Sequence, residues 1–246
     1  MNDFLTGLQF LTRIQLKQQS DWSPESFGRS VRYFPLIGLL IGALLAGIYY
    51  ATSPYLTLHV MAAMLIAAEI VITGALHCDG YMDTADGIFS GRSRERMLEI
   101  MKDSRVGANG VVAFGLLLLI KYALYLDIPG FFMPAALLVA PVIGRFCMVL
   151  GITAFPYARP EGIGRAFAQF SGKAALHVAA ATTVIVAFTV GKQALAGLLL
   201  AFCFTLWFAR YVTRILGGLT GDIYGAIAEI AQVIVLLSFL LLREWR

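Results

Sequence analysis

Charge is scarce in this 246-residue chain. Asp, Glu, Lys and Arg make up 14% of it against 59% hydrophobic residues, whereas a soluble domain carries about a quarter charged residues. With a mean hydropathy of +0.77, that deficit argues against a soluble globular fold. Cysteine is nearly missing too: Cys78, Cys147 and Cys203 are odd in number and widely spaced. They offer neither a disulfide framework nor a sulfur metal site, so reduced structural thiols are expected. No fixed-period repeat and no low-complexity linker interrupts the sequence, and a single integral membrane domain over 1–246 is expected. The start, MNDFLTGLQFLTRIQLKQQ, has Asp3 early and no basic stretch ahead of a long apolar core, unlike a cleavable signal peptide. Phe4, Leu5, Leu8, Leu11 and Leu16 predict a helix lying in the membrane interface.

What is abundant is apolar sequence in continuous runs, at 33–50, 56–76, 111–126, 131–150, 174–190, 195–211 and 226–242. Each approaches the roughly 20 residues that cross a bilayer. Continuity rather than alternation excludes a β-barrel. The expected fold is all-α, a polytopic membrane helix bundle of six or seven transmembrane helices. With the N-terminus inside, Arg13, Lys17, Arg29, Arg32, Arg92, Arg94, Arg96, Lys102, Arg105, Arg145, Arg159, Arg165, Lys173, Arg210 and Arg214 fall on inner segments or helix ends. Only Lys192 and, if the last run spans, Arg243 and Arg246 fall outside. That bias places the inner loops in the cytoplasm, as in a bacterial cytoplasmic (inner) membrane protein. The net charge of +4 implies contact with anionic lipid headgroups or substrates rather than with nucleic acid.

Against this background the stretch 77–110, HCDGYMDTADGIFSGRSRERMLEIMKDSRVGANG, stands apart. It holds Asp79, Asp83, Asp86 and Asp103, two glutamates and five Lys/Arg. If its first part is helical, Asp79, Asp83 and Asp86 fall at i, i+4 and i+7 on one face. Such a stack repels itself unless something positive lies between, and hard oxygen ligands suit Mg²⁺ or Mn²⁺, Mg²⁺ being commonly shared with substrate phosphates. An acidic metal site at the cytoplasmic face is the reading, with Asp79, Asp83 and Asp86 as metal ligands. Gly80 and Gly87 follow two of the aspartates, where glycine permits close approach of a ligand. The plainer alternative is a solvated loop. Arg92, Arg94, Arg96, Lys102 and Arg105 could serve topology alone or clamp a diphosphate; Lys102 and Arg105, flanking Asp103, are the better phosphate candidates.

Other polar residues sit further along. In GGLTGDIYGAIAEI, Asp222 could be aimed at the metal site, or Thr220 or Asp222 could simply cap the following helix. Arg159 and Arg165, in FPYARPEGIGRAF, could bind the anionic part of a substrate or belong to a plain connector. Glu69 and Glu229 lie inside apolar runs, where ionisable groups are costly and usually paired or functional. Glu69 could face the aspartates' cavity, and Lys121 could be its ion-pair partner. His77 is as readily a hydrogen-bonded structural residue as a ligand.

HCDGYMDTADG followed by LEIMKDSRVGANGV, with FLTRI near the start and GGLTGDIYGA near the end, closely resembles the bacterial cobalamin synthase family, the adenosylcobinamide-GDP ribazoletransferases. The resemblance spans nearly the whole chain. Cys78 stands where an apolar residue is more usual, which touches no ligand. The resemblance implies a Mg²⁺-dependent transfer in which a hydroxyl of α-ribazole, or of its 5′-phosphate, attacks adenosylcobinamide-GDP. GMP leaves and adenosylcobalamin, or its 5′-phosphate, forms. In that reading Asp103 is a fourth ligand or the base, and Lys102 and Arg105 neutralise phosphate. Two alternatives stand beside it. A CDP-alcohol phosphotransferase acting on lipid headgroups lacks its DxxDGxxAR-x8-GxxxDxxxD spacing here, and a secondary transporter would use Glu69, Lys121 and Glu229 as an ion path. The number of metals, docking of pathway enzymes and assembly into a homo-oligomer are left open by the sequence.

Overall fold

The computed structural model describes residues 2–17 and 22–243; Arg246 lies outside them. The described residues form twelve α-helices joined by short turns, with one isolated β-bridge between Tyr157 and Leu219. In chain order they are α1 (Asn2–Leu11), α2 (Pro24–Ser30), α3 (Phe34–Thr52), α4 (Leu58–Thr73), α5 (Leu76–Ile88), α6 (Arg94–Ile100), α7 (Ala108–Asp127), α8 (Met133–Ala154), α9 (Ile163–Phe170), α10 (Ala174–Val190), α11 (Lys192–Leu216) and α12 (Gly221–Leu241). Five units are long and apolar enough to cross a membrane: Pro24–Thr52, which joins α2 to α3 through a 3-10 turn, and then α7, α8, α11 and α12. Counting the bent pairs α4 with α5 and α9 with α10 as one span each raises the number to seven. This is the helix bundle the sequence predicts, and its several apolar helices describe a multi-pass membrane protein. None of the four arms of these bent pairs is long and apolar enough alone, and α5 carries three aspartates in 13 residues.

α8 is the spine. Almost all of it is buried, and it packs against α3 on one side and α12 on the other. The contacts are close because the facing residues are small, the usual solution where lipid supplies no hydrophobic drive between helices. A Cβ at Gly42 of α3 would stand 2.3 Å from the Leu138 carbonyl oxygen. Arg145, counted among the inner helix ends on sequence grounds, is in the middle of α8 and fully buried. It therefore drops out of the topology signal.

Two further sequence expectations change. The run 56–76 is not one straight helix. It breaks after Thr73, where Gly74 and Ala75 both take left-handed backbone (φ 63° and 60°), and α5 departs at 93° to α4. Gly74 tolerates that conformation; Ala75 does so against its Cβ. The Arg13 side chain lies across Gly74, and the Arg13 N–H donates to the Ile72 carbonyl, which ties the turn to the N-terminal segment. α1 is amphipathic, but its apolar face is covered by protein: Leu8 and Leu11 are fully buried, and Arg29 of α2 pairs with Asp3. The helix stops at Leu11, which leaves Leu16 exposed and outside it.

Candidate active site

The break at Gly74–Ala75 turns the aspartate segment out of the crossing direction, and α5 brings Asp79, Asp83 and Asp86 up one face as their spacing predicts. Their environments differ. Asp79 is exposed, Asp83 is half-buried and Asp86 is buried. Asp86 accepts hydrogen bonds from the N–H groups of Gly107 (2.7 Å) and Gly110 (2.9 Å), at the N-terminus of α7. A carboxylate suits that position because it meets unpaired donors and the positive end of the helix dipole. Neither glycine has room for a side chain, since an added Cβ would come within 2.5 Å of an Asp86 oxygen.

A fourth carboxylate arrives from far along the chain. Thr220 caps α12, its hydroxyl accepting from the Ile223 N–H (3.3 Å), and that frees Asp222 for other partners. Asp222 accepts from the Arg159 guanidinium (2.8 Å) and from the Thr220 hydroxyl (3.1 Å). Arg159 is delivered by the loop 155–162, which is stitched to the α11–α12 turn: Leu219 N–H donates to the Pro156 carbonyl and Ala158 N–H to the Leu219 carbonyl, both at 2.8 Å. Gly80 lets α12 approach, because a Cβ there would stand 2.9 Å from the Cα of Asp222.

Together these groups form an acid-rich patch. Burial, and then the charges of Asp222, Asp79 and Asp86, push the Asp83 carboxyl up to about 7, with Arg159 opposing them. Among the described residues no three His, Cys, Asp or Glu side chains are grouped so that they could hold a metal ion. What is present is a looser group of hard oxygen donors, the ligand type that Mg²⁺ takes when it keeps other positions for water or phosphate.

Beside the patch opens a cavity of about 440 Å³ whose lining includes Asp79, Gly80, Lys102, Arg159 and Asp222. Five residues singled out in the sequence thus meet at one place, and Asp83 is coupled to them electrostatically. The others are placed differently. Gly87 accommodates Met101 and Met97 of the α6 segment. Asp103 and Arg105 pair with each other at the surface, Arg105 donating to both carboxylate oxygens (3.0 and 2.7 Å), which holds Asp103 down at about 2. Arg165 is exposed and donates to the carbonyl of Pro160 in its own loop. Tyr157, Tyr224, Gly164 and Phe167, which the sequence reading passed over, also line the cavity. The available signal was the aromatic inside each motif already noted, in FPYARPEG and GGLTGDIYGA.

The intramembrane charges gather elsewhere. Lys121 of α7 donates to Glu69 of α4 (3.1 Å) and to Glu229 of α12 (2.6 Å), all three buried. The expected Glu69–Lys121 pair therefore exists and has a third member. Arg145 of α8 lies within electrostatic reach of both glutamates, with no hydrogen-bond partner for any of its three guanidinium nitrogens. Glu69 faces this cluster, not the cavity lined by Asp79 and Asp222.

Residues 3–240 match the model of a family described as cobalamin-5-phosphate synthase. Among curated relatives, the chain is 39% identical over 244 residues to an adenosylcobinamide-GDP ribazoletransferase of Desulfitobacterium hafniense, covering 97% of this chain and 96% of the relative. It is 41% identical over 236 residues to the protein of that name from a Roseiflexus species (96% and 88% covered). For the one from Brevibacillus brevis, identity is 40% over 243 residues (96% and 97% covered). No solved structure matches the chain.

Proposed function

The chain belongs to the cobalamin-5-phosphate synthase family, and from that premise we propose that it is an adenosylcobinamide-GDP ribazoletransferase with its active site at the α5–α12 face. The observation that carries the placement is the meeting of Asp79, Lys102, Arg159 and Asp222, from four separate segments, on one cavity beside Asp83. The 3′-hydroxyl of α-ribazole, or of its 5′-phosphate, attacks the cobinamide-side phosphorus of the diphosphate. The new P–O bond forms as the bond to the GMP oxygen breaks, and the hydroxyl proton passes to a carboxylate. Such a transfer needs mostly positioning and charge neutralisation.

Asp79 and Asp83 would hold Mg²⁺, with Asp86 backing them from its seat on α7. The ion would neutralise diphosphate oxygens and the departing GMP. Lys102, exposed at the cavity rim, places a further positive charge on the phosphates. Gly80 keeps α5 and α12 close enough for Asp222 to hold Arg159 over the same space. Asp103, held by Arg105 at the surface, would be the base in place of a cavity aspartate only when substrate phosphate draws Arg105 away. The predominance of basic residues on inner segments supports a bacterial cytoplasmic membrane location with this face in the cytoplasm.

The test is substrate choice by the purified, detergent-solubilised chain. GMP release from adenosylcobinamide-GDP in the presence of α-ribazole, with formation of a complete corrinoid and none from CDP-linked alcohols, is the expected result. Turnover of CDP-linked substrates in place of the corrinoid nucleotide would overturn it.

A further inference from the structure

The 440 Å³ cavity has a divided character. Its deeper wall is apolar and aromatic, built by Phe167, Met148, Tyr157 and Tyr224, while Asp79, Lys102 and Glu161 stand exposed at its mouth. Tyr157 and Tyr224 lie face-inclined, ring centroids 6.4 Å apart at 31°. Three residues of the lining also carry buried polar atoms with no hydrogen-bond partner: both ring nitrogens of His77, the Tyr224 hydroxyl and Nε of Arg159. Buried polar groups are normally satisfied, so several orphans around one cavity point to a ligand that supplies partners.

We infer that this cavity takes the nucleoside acceptor, seating its flat bicyclic base against the tyrosines and leaving its ribose at the mouth beside Asp79 and Asp222. The inference rests on the transferase reading above and adds which of the two substrates the cavity holds. Size decides against the corrinoid, because 440 Å³ is near the lower end of the roughly 300–1,000 Å³ of small-ligand sites and a corrin ring with its amide arms does not enter. Chemistry decides against guanine. Its edge presents several donors and acceptors that need matched polar partners, and the largely buried carboxylate of the lining, Asp222, is already engaged by Arg159 and Thr220. A dimethylbenzimidazole presents two methyl groups and one free ring nitrogen. Aromatic and Met walls suit the first, and a single donor from His77 or the Tyr224 hydroxyl suits the second. With the base so placed, the ribose hydroxyls point toward the aspartates, where the diphosphate must lie.

The experiment measures KM for each substrate separately with the full chain in detergent. Tyr157→Leu is expected to raise KM for ribazole by about tenfold, the effect of losing an aromatic stacking wall, and to change KM for adenosylcobinamide-GDP by less than about twofold. Ile163→Trp, at an exposed position on the cavity rim, narrows the entrance without disturbing the core and is expected to raise the same constant. A rise in KM for adenosylcobinamide-GDP instead, or no change in either constant, overturns the assignment. Failure of the unaltered chain to make any corrinoid product overturns the transferase reading itself, and the two failures are thereby distinguished.

Discussion

In the middle of the bundle, Lys121 sits between Glu69 and Glu229 with Arg145 close by, so two buried acids are matched by two buried bases. On the other side, Asp79, Asp222 and Arg159 line the cavity, with Asp83 and Asp86 following Asp79 along α5. Both clusters are costly in a membrane protein, but the cost is met differently. The inner one is neutral within itself and joins α4, α7, α8 and α12, which is what a structural clamp requires. The outer one has more acids than bases and borders an open cavity, as suits the proposed site for a cation and an anionic substrate. Internal neutrality also argues against the ion-path reading of Glu69, Lys121 and Glu229.

Single substitutions should pull the two clusters apart. Asp83→Asn is expected to lower turnover by about 10²–10³-fold, the scale of losing one electrostatic stabiliser of a transition state, while thermal stability in detergent holds or rises because a like charge has gone. A stability loss matching the activity loss would erase the distinction. Lys121→Met should act in the opposite sense. It leaves two buried carboxylates facing each other and is expected to cost about 3–5 kcal/mol of stability, toward the lower end if Arg145 swings in; a neutral outcome in equilibrium unfolding would contradict the clamp. Asp86→Ala should cost about 1–3 kcal/mol by orphaning the Gly107 and Gly110 N–H groups, which separates its seating role on α7 from the electrostatic role of Asp83.

The smallest effect is a pH slope. Asp83 is raised from 3.8 to about 7 in the folded chain, so between those values the native state holds a proton that the unfolded state has released. Stability of the metal-free chain therefore falls as pH rises through that window. Asp83→Asn should flatten the slope, and added Mg²⁺ should recover stability near pH 7; a thermal-shift series over pH checks both.

The helix bundle was legible because long apolar runs have few alternatives in a membrane, and the aspartate face was legible because Asp79, Asp83 and Asp86 share one helix. The 93° break at Gly74–Ala75 was not. Nothing in AEIVITGALHCDG forces an alanine into left-handed backbone; the neighbouring Arg13 and the packing of α5 on α12 impose it. Asp222 was placed near the metal site only as one of two options, because a local reading sees a cap. The structure gives the cap to Thr220 and leaves Asp222 on the cavity, paired with Arg159. Arg145 misled the topology count, since a charge buried by other helices carries no signal of depth along its own. The aromatic walls Tyr157 and Tyr224 sat inside motifs already noted, but that they share a cavity could not be read locally, because it is formed by residues distant in sequence.

In the proposed mechanism the outer cluster works through a divalent cation and the inner one does not take part. The most direct measurement is GMP release from adenosylcobinamide-GDP and α-ribazole by the unaltered chain and by Asp83→Asn, each with Mg²⁺ and with a chelator. Mg²⁺-dependent release by the unaltered chain, abolished by chelation and by Asp83→Asn in folded protein, is the predicted result. Release that persists in Asp83→Asn with an unchanged Mg²⁺ requirement would contradict it.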